Sequence, residues 1–327
     1  MIEYNSIDIN RKCLMYMKLY FAPLEGITTY VFRNTHNAVF GECDCYYTPF
    51  VSPSDNEKIG RKGFRDILPE NNAGTNVKVQ VLTNNSESFV KFSEKIKEYG
   101  YDEVNINLGC PSATVVGKMR GSGFLRDTDA LKTFFDEIFE KSDIKISVKT
   151  RAGFSSPDEI KPLTELYNNY PLSLLIVHPR TRNDFYKGAI SDDAFQSAYN
   201  TTKHPLVYNG NVFTKKDYDT ILERYPDLHG VMLGRGAVAN PALFREIRGG
   251  APLGTDELLH FSQELIKNYN GVLKSDTFTL NKMKEIWLHF MWNYPQEKKI
   301  LKAVKKANKL SDLVSATNKL LLTDYSS

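Results

Sequence analysis

The chain has 327 residues, with 42 Lys and Arg against 39 Asp and Glu, a net charge of +3 and four cysteines. That length holds one large barrel plus a small domain, and the hydrophobic (41%) and charged (25%) fractions are those of an ordinary globule. No apolar run approaches the roughly 18 residues of a membrane span, and the net charge is too small to argue for nucleic acid by itself.

The start, MIEYNSIDINRKC, lacks the apolar core of a secretory signal. Cys13, Cys43, Cys45 and Cys110 form neither a disulfide framework nor a CxxC pair. Cys43 and Cys45 read as chance neighbours near a strand, so no metal is expected. The expectation is a reduced, cytoplasmic compartment and no membrane partner.

Short apolar runs alternate with helical patterns along most of the chain. The expected strands are Leu19–Ala22, Cys45–Thr48, Val77–Leu82, Glu103–Leu108, Ile144–Lys149, Leu174–Val177, Leu206–Tyr208 and Gly230–Leu233. Segments such as Ser86–Tyr99, Asp129–Glu140 and Lys215–Tyr225 carry helical periodicity between them. A long loop from Val51 to Asn76 makes the second unit irregular. Eight strands with alternating helices predict an α/β fold, a (β/α)8 TIM barrel. After Gly249-Gly250 and the linker Ala251–Gly254 the pattern is purely helical. The predicted division is therefore a barrel over 1–248 and a small C-terminal helical bundle over 249–327. Stripes of Leu258, Ser262, Leu265, Ile266 and Tyr269, then Met283, Ile286, Trp287, Phe290 and Met291, then Ile300, Ala303, Val304 and Ala307 mark the bundle faces. On the last of these, Lys298, Lys302, Lys305 and Lys309 make a basic stripe, with Lys299 and Lys306 beside it.

Polar residues recur just after the strands: Pro23-Leu24-Glu25-Gly26, Gln80, Asn107 to Cys110, Lys149 with Arg151, His178, Asn209-Gly210-Asn211 and Gly234-Arg235-Gly236. In such barrels the active face lies at the carboxyl ends of the strands. The glycine turns after the seventh and eighth strands have the pattern of a phosphate site, with backbone N–H groups and the donor fork of Arg235.

The stretch Asn105–Leu125, NINLGCPSATVVGKMRGSGFL, is the most specific. A strand ends in Gly109-Cys110-Pro111, which sets a cysteine on a rigid corner. Asn107, Gly109, Cys110, Pro111, Val115, Gly121, Ser122 and Leu125 match the loop of the dihydrouridine synthases, and the chain resembles that family over about residues 19–315. Four positions depart from its pattern, and one of them, Thr29, stands where the family often has aspartate. Ala113 stands where many members have a lysine, so that an RNA contact is either absent or supplied by Lys118 or Arg120. Pro49 stands where many have glutamate, and Pro179 where the family usually has glycine.

The resemblance implies an FMN-dependent reductase of the uracil C5=C6 bond in RNA, most often tRNA, with NADPH as reductant. It implies that Pro23, Leu24 and Glu25 pass under the flavin and that Gln80 bonds its pyrimidine edge. Lys149 would neutralise the reduced ring at N1 and O2, and His178 would donate to its edge. Asn209, Gly210, Asn211, Gly234 and Arg235 would hold the FMN phosphate. Cys110 would protonate C5, a role that suits a thiol with an ordinary pKa near 8.5. Asn107 would read the uracil edge, Arg151, Arg180 and Arg182 would rim the mouth and hold flanking phosphates, and the lysine stripe would track the RNA backbone. Two rival readings are an FMN barrel for a small molecule, of dihydroorotate dehydrogenase or ene-reductase type, and a non-catalytic RNA-binding relative. The first leaves the basic bundle without a purpose. The second leaves Cys110 and Lys149 without one.

Overall fold

The computed structural model describes residues 17–53 and 64–322. The opening segment with Cys13 and the middle of the Val51–Asn76 loop lie outside the described residues. Eight parallel strands close into a barrel in chain order. In that order the elements are β1 (Lys18–Phe21), α1 (Tyr30–Val39), β2 (Cys45–Tyr47), β3 (Val77–Val81), α2 (Ser86–Glu98), β4 (Glu103–Leu108), α3 (Ala113–Val116), α4 (Thr128–Lys141) and β5 (Lys145–Gly153). Then follow α5 (Ile160–Tyr167), β6 (Leu174–Thr181), α6 (Asp192–Thr201), β7 (Leu206–Tyr208), α7 (Lys215–Arg224) and β8 (Gly230–Leu233). Lys18 through Phe21 pair with Gly230 through Leu233, which closes the barrel.

The strands form where the sequence offers short runs buried on both faces, the requirement of an all-parallel sheet. Helices start where a side chain satisfies an orphan amide. Asn85 accepts from the Ser88 amide at 2.7 Å and Asp127 from that of Ala130 at 2.9 Å. Two strands run past their expected ends. β5 continues beyond Lys149 to Gly153, and β6 beyond Val177 to Thr181, with Arg151 opposite His178 and Gly153 opposite Thr181. The polar run VKTR was expected to leave the strand at Lys149, with Arg151 beyond it, and HPRT to begin a loop. They stay paired because their arginines find acceptors inside, as described below. Pro179 is tolerated in β6 because β7 ends at Tyr208, opposite Val177, so Pro179 lies past the last ladder position on that side.

The contacts divide into two compact units. The first contains the described residues up to Pro23, Asp44–Asn211 and Asp219–Leu233, hence every strand of the barrel. The second contains Leu24–Cys43, Val212–Tyr218 and the described residues from Gly234 onward. Its later helices are α8 (Arg235–Ala239), α9 (Leu243–Ile247), α10 (Thr255–Leu273), α11 (Asp276–Phe290), α12 (Lys298–Lys306) and α13 (Leu310–Thr317). Its core is aromatic. Phe261 meets Phe32 at 5.7 Å, Phe40 at 5.1 Å and Phe290 at 6.0 Å between ring centroids. Trp287 is buried and donates to Ser262 Oγ at 2.9 Å, the partner a buried indole needs. Leu258, Leu265, Met283, Ile286 and Val304 are buried as their stripes require.

α12 ends at Lys306, so the helix does not carry the lysine stripe to Lys309. Asp312 accepts from the Asn308 and Lys309 amides at 3.1 Å each and starts α13 instead. Lys298, Lys299, Lys302, Lys305, Lys306 and Lys309 are all exposed.

His36 is fully buried on α1, with Nε2 2.9 Å from the Pro241 carbonyl. Desolvation brings its pKa down to about 4, against a smaller opposing effect of that hydrogen bond. The unfolded chain binds a proton near pH 6.5 that the folded one refuses until about pH 4, so stability is lost as pH drops through that window. Urea unfolding of wild type and His36→Phe should show it. Wild type should lose about 3 kcal/mol more than the variant between pH 7 and pH 4. Parallel pH profiles would show that His36 does not carry this penalty.

Candidate active site

The carboxyl end of β4 holds the centre of the site. Glu103, Asn105 and Asn107 fall at every second position of this strand and are all buried, so they share one face. A single hydrogen-bonded relay joins them to the neighbouring strands. Ser147 Oγ donates to Glu103 Oε1 at 2.7 Å. Asn105 Nδ2 donates to Ser147 Oγ at 2.9 Å, and Gln80 Nε2 to Asn105 Oδ1 at 2.8 Å. Asn107 Nδ2 then donates to Gln80 Oε1 at 2.7 Å. This leaves Asn107 Oδ1 to accept the amides of Gly109 at 3.0 Å and Cys110 at 2.9 Å.

The direction of the relay follows from its ends. The Glu103 carboxylate, 3.5 Å from Lys78 Nζ, only accepts. Every amide up the chain must therefore point its N–H₂ toward Glu103 and its oxygen toward Cys110. Asn105 was not singled out as a site residue from sequence. The readable signal was its period-two place between Glu103 and Asn107 in an otherwise apolar strand.

From Cys110 the chain makes a loop that returns on itself. The Cys110 carbonyl accepts from the Ser122 amide at 3.1 Å and from Ser122 Oγ at 2.8 Å. Gly121 has φ of 56°, and a Cβ there would lie 2.8 Å from the Cys110 carbonyl oxygen and 3.0 Å from its Cβ. Only glycine fits. Cys110 itself is partly exposed and not in a disulfide. Of the two residues expected to replace a lysine at Ala113, Lys118 is exposed, whereas Arg120 Nε is tied to Asn84 Oδ1 at 3.1 Å.

Lys149 lies on β5 opposite Asn107. Part of its side chain still reaches the surface, but the amine itself is dehydrated. Desolvation first, and Arg151 second, bring its pKa down to about 7, opposed only by Cys110. No carboxylate is among the groups acting on it. A cation so placed favours an anion or an electron-rich ring.

The three arginines expected at the rim separate. Arg151 is buried, with Nε donating to the Gly109 carbonyl at 2.7 Å and Nη1 to that of Thr181 at 2.8 Å. Arg180 is buried as well, with Nε on the Gly188 carbonyl at 2.6 Å and Nη1 3.0 Å from His178 Nε2. Both are enclosed because backbone carbonyls and a ring nitrogen accept from them. Only Arg182 stays at the partly exposed edge. A guanidinium only donates, so His178 Nε2 accepts and the ring proton sits on Nδ1. Gln80 and Asn107 already use their amides in the relay.

The turn after β7 is also held within the barrel unit. Asn209 Nδ2 donates to the Met232 carbonyl at 2.8 Å, and Arg180 reaches Asn211 Oδ1 at 3.3 Å. A Cβ on Gly210 would strike the Tyr208 hydroxyl at 2.1 Å. Pro23 belongs to the barrel unit, while Leu24, Glu25, Gly234 and Arg235 belong to the second unit. There the Leu24 amide donates to Thr28 Oγ1 at 2.8 Å, and the Arg235 guanidinium lies 5.9 Å from the ring centroids of both Phe213 and Trp292. Among the described residues no cluster of His, Cys, Asp and Glu is arranged to hold a metal.

A family model described as Dihydrouridine synthase (Dus) matches residues 20–323. The chain belongs to the dihydrouridine synthase family. It is 25% identical over 231 residues to tRNA-dihydrouridine synthase B of Pasteurella multocida strain Pm70, covering 70% of this chain and 68% of that protein. It is 26% identical over 295 residues to tRNA-dihydrouridine(16) synthase of Pseudomonas putida, covering 86% and 90%. Among solved structures, morphinone reductase in complex with tetrahydroNAD superposes with a TM-score of 0.51 at 13% identity, over 73% of this chain and 88% of that one. TcOYE with pHBA gives 0.54 at 11% identity, over 72% and 90%. At such identities the likeness is one of fold.

Within this dihydrouridine synthase the Asn107 clamp can be tested by itself. Asn107→Leu leaves two amides and Gln80 Oε1 without partners, which should cost about 2–4 kcal/mol in urea unfolding. Glu103→Gln keeps the shape of the relay but no longer dictates its direction, and should cost about 1–2 kcal/mol. A loss under about 0.5 kcal/mol for Asn107→Leu would show that the clamp does not hold the loop.

Proposed function

We propose that this protein reduces the C5=C6 bond of a uridine in tRNA, with FMN as cofactor, NADPH as reductant and Cys110 as proton donor. The observation that carries the reading is the pairing of two features on adjacent strands. One is a thiol on a corner fastened by Asn107 and Ser122. The other is Lys149, a dehydrated cation without a carboxylate partner. The names of the relatives extend the family activity to tRNA as substrate.

The residues present suit a flavin. Lys149 offers positive charge where the N1–C2=O edge of a reduced ring carries negative charge, and His178 offers a donor from Nδ1. The barrel's phosphate turn is assigned to Asn209, Gly210 and Asn211. When bound, the flavin supplies the hydride that adds to C6 of uracil.

The chain's own residues do the rest. The Asn107 clamp holds Cys110 so that its thiol proton can be delivered to C5. Arg151, tied to the Gly109 carbonyl, braces the same corner. Uracil must leave its stack to reach this depth. Arg182 and the exposed lysines on α12 and at Lys309 act on the RNA backbone, which gives affinity without sequence readout. In this reading Arg151 and Arg180 position the protein's own groups and do not touch phosphate.

Cys110→Ala tests the chemical step. Prereduced holoenzyme of wild type and variant would be mixed rapidly with unmodified tRNA. RNA reduction should slow about 10²–10⁴-fold, while consumption of NADPH without RNA stays within a fewfold. Cys110→Ser should recover little, because a hydroxyl is a far weaker acid. RNA reduction at wild-type speed would remove Cys110 from the mechanism.

Changing Lys298, Lys302, Lys305 and Lys309 together to Ala tests the grip. The variant should bind tRNA more weakly, and its log Kd should depend less steeply on log salt, by about 0.7–0.9 for each phosphate no longer neutralised. An unchanged slope would return these lysines to the role of a solvated face.

A further inference from the structure

Two large aromatic side chains stand exposed side by side after β6: Phe185, 43% exposed, and Tyr186, 52% exposed. Phe185 also has φ of 49°, in the left-handed region that a bulky residue rarely occupies. A ring that is both exposed and backbone-strained does little for the fold. Such strain points instead to a role at the surface.

The surroundings are cationic. Arg182 lies 5.0 Å from the Phe185 ring centroid and 5.8 Å from that of Phe154, over which Arg126 sits at 4.8 Å. Arg182 Nε is shielded from solvent and has no acceptor among the described residues. Arg151 lies 5.4 Å from the Tyr186 ring, and the same guanidinium holds the Gly109 carbonyl next to Cys110. One side chain therefore separates the aromatic tip from the corner that carries the thiol.

The tip is also preorganised. Asp184 Oδ2 accepts from the Thr181 amide and hydroxyl at 2.7 Å each, and Arg180 Nε holds the Gly188 carbonyl at 2.6 Å. The nearby Asp184 carboxylate is thus engaged inside the turn. At the surface the tip offers two exposed rings with arginines against them and Lys187 exposed next to them. That combination suits an unpaired nucleobase and its phosphate, because every base has a π-face and the tip is already ordered before it binds.

We propose that the Phe185–Tyr186 tip is a stacking platform for an unpaired base of the RNA, adjacent to the uridine that reacts. Arg182 holds the phosphate between the two nucleotides. The inference rests on the RNA-reduction reading above and adds how the substrate is kept open at the reacting base.

The test uses holoenzyme and a short single-stranded RNA containing uridine, with affinity measured by fluorescence anisotropy at several salt concentrations. Phe185→Gly and Tyr186→Ala should each weaken binding roughly 5- to 100-fold, with the slope of log Kd on log salt unchanged, since the same number of counterions is released. Tyr186→Trp should bind as well as wild type. Phe185→Gly relieves the backbone strain, so its melting temperature should not fall. Binding within twofold of wild type for both variants would overturn the proposal. So would weakened binding in Tyr186→Trp equal to that of Tyr186→Ala. The two readings fail separately. Wild-type protein that forms no dihydrouridine removes the reductase reading, whereas normal dihydrouridine formation with unaltered binding in the variants removes the platform alone.

Discussion

A carboxylate that can only accept hydrogen bonds sets the orientation of the whole corner that carries Cys110. Glu103 forces Ser147 to donate, Ser147 forces Asn105, and the order passes through Gln80 to Asn107. The oxygen left over at the far end collects the two amides that fix Gly109 and Cys110. A buried polar chain of this kind is favourable only when every member is satisfied. Here each link has a partner, and the cost of burying five polar side chains is offset by one defined geometry for the loop. Gly121 and Ser122 close that loop from the other side by reaching the Cys110 carbonyl.

Charge around the corner is arranged just as sparingly. Lys149 and Arg151 share β5 with Ser147, and both are dehydrated. Arg151 is held by two carbonyl oxygens, whereas no carboxylate acts on Lys149. Lys149 is thus an amine whose proton is held loosely near neutral pH. The basic residues of the second unit, Lys298 to Lys309, are solvated and attract over longer range, subject to screening by salt.

Much of this was legible from the chain alone, for physical reasons. Most of the eight strands announce themselves as short apolar runs and β4 as an alternating one, and Glu103–Leu108, Leu206–Tyr208 and Gly230–Leu233 have the predicted bounds. Cys110 was singled out by the match of the whole Asn105–Leu125 stretch to a family loop, since Gly-Cys-Pro alone reads as an ordinary turn after a strand. The extensions of β5 and β6 were not readable, because Arg151 and Arg180 look like loop residues until their carbonyl acceptors are known. Those of Arg151, Gly109 and Thr181, lie far along the chain, whereas that of Arg180, Gly188, is supplied by the turn that follows. Gln80 and Asn107 read as ligand-facing amides, and the relay that uses them depends on the register of three strands. The break after Lys306 was hidden by a helical periodicity that Asp312 interrupts through its hydrogen bonds. Phe185 and Tyr186 carry no periodic signal, and their exposure appears only in three dimensions.

The central claim is that this barrel delivers reducing equivalents to uridine in RNA and not to a small molecule. The most direct measurement is nucleoside mass spectrometry of unmodified tRNA transcripts after anaerobic incubation with flavin-loaded protein and NADPH. The account predicts dihydrouridine at a defined uridine, formed in proportion to the NADPH consumed. Protein that consumes NADPH with a small α,β-unsaturated carbonyl acceptor, yet leaves every uridine of the RNA intact, would contradict it.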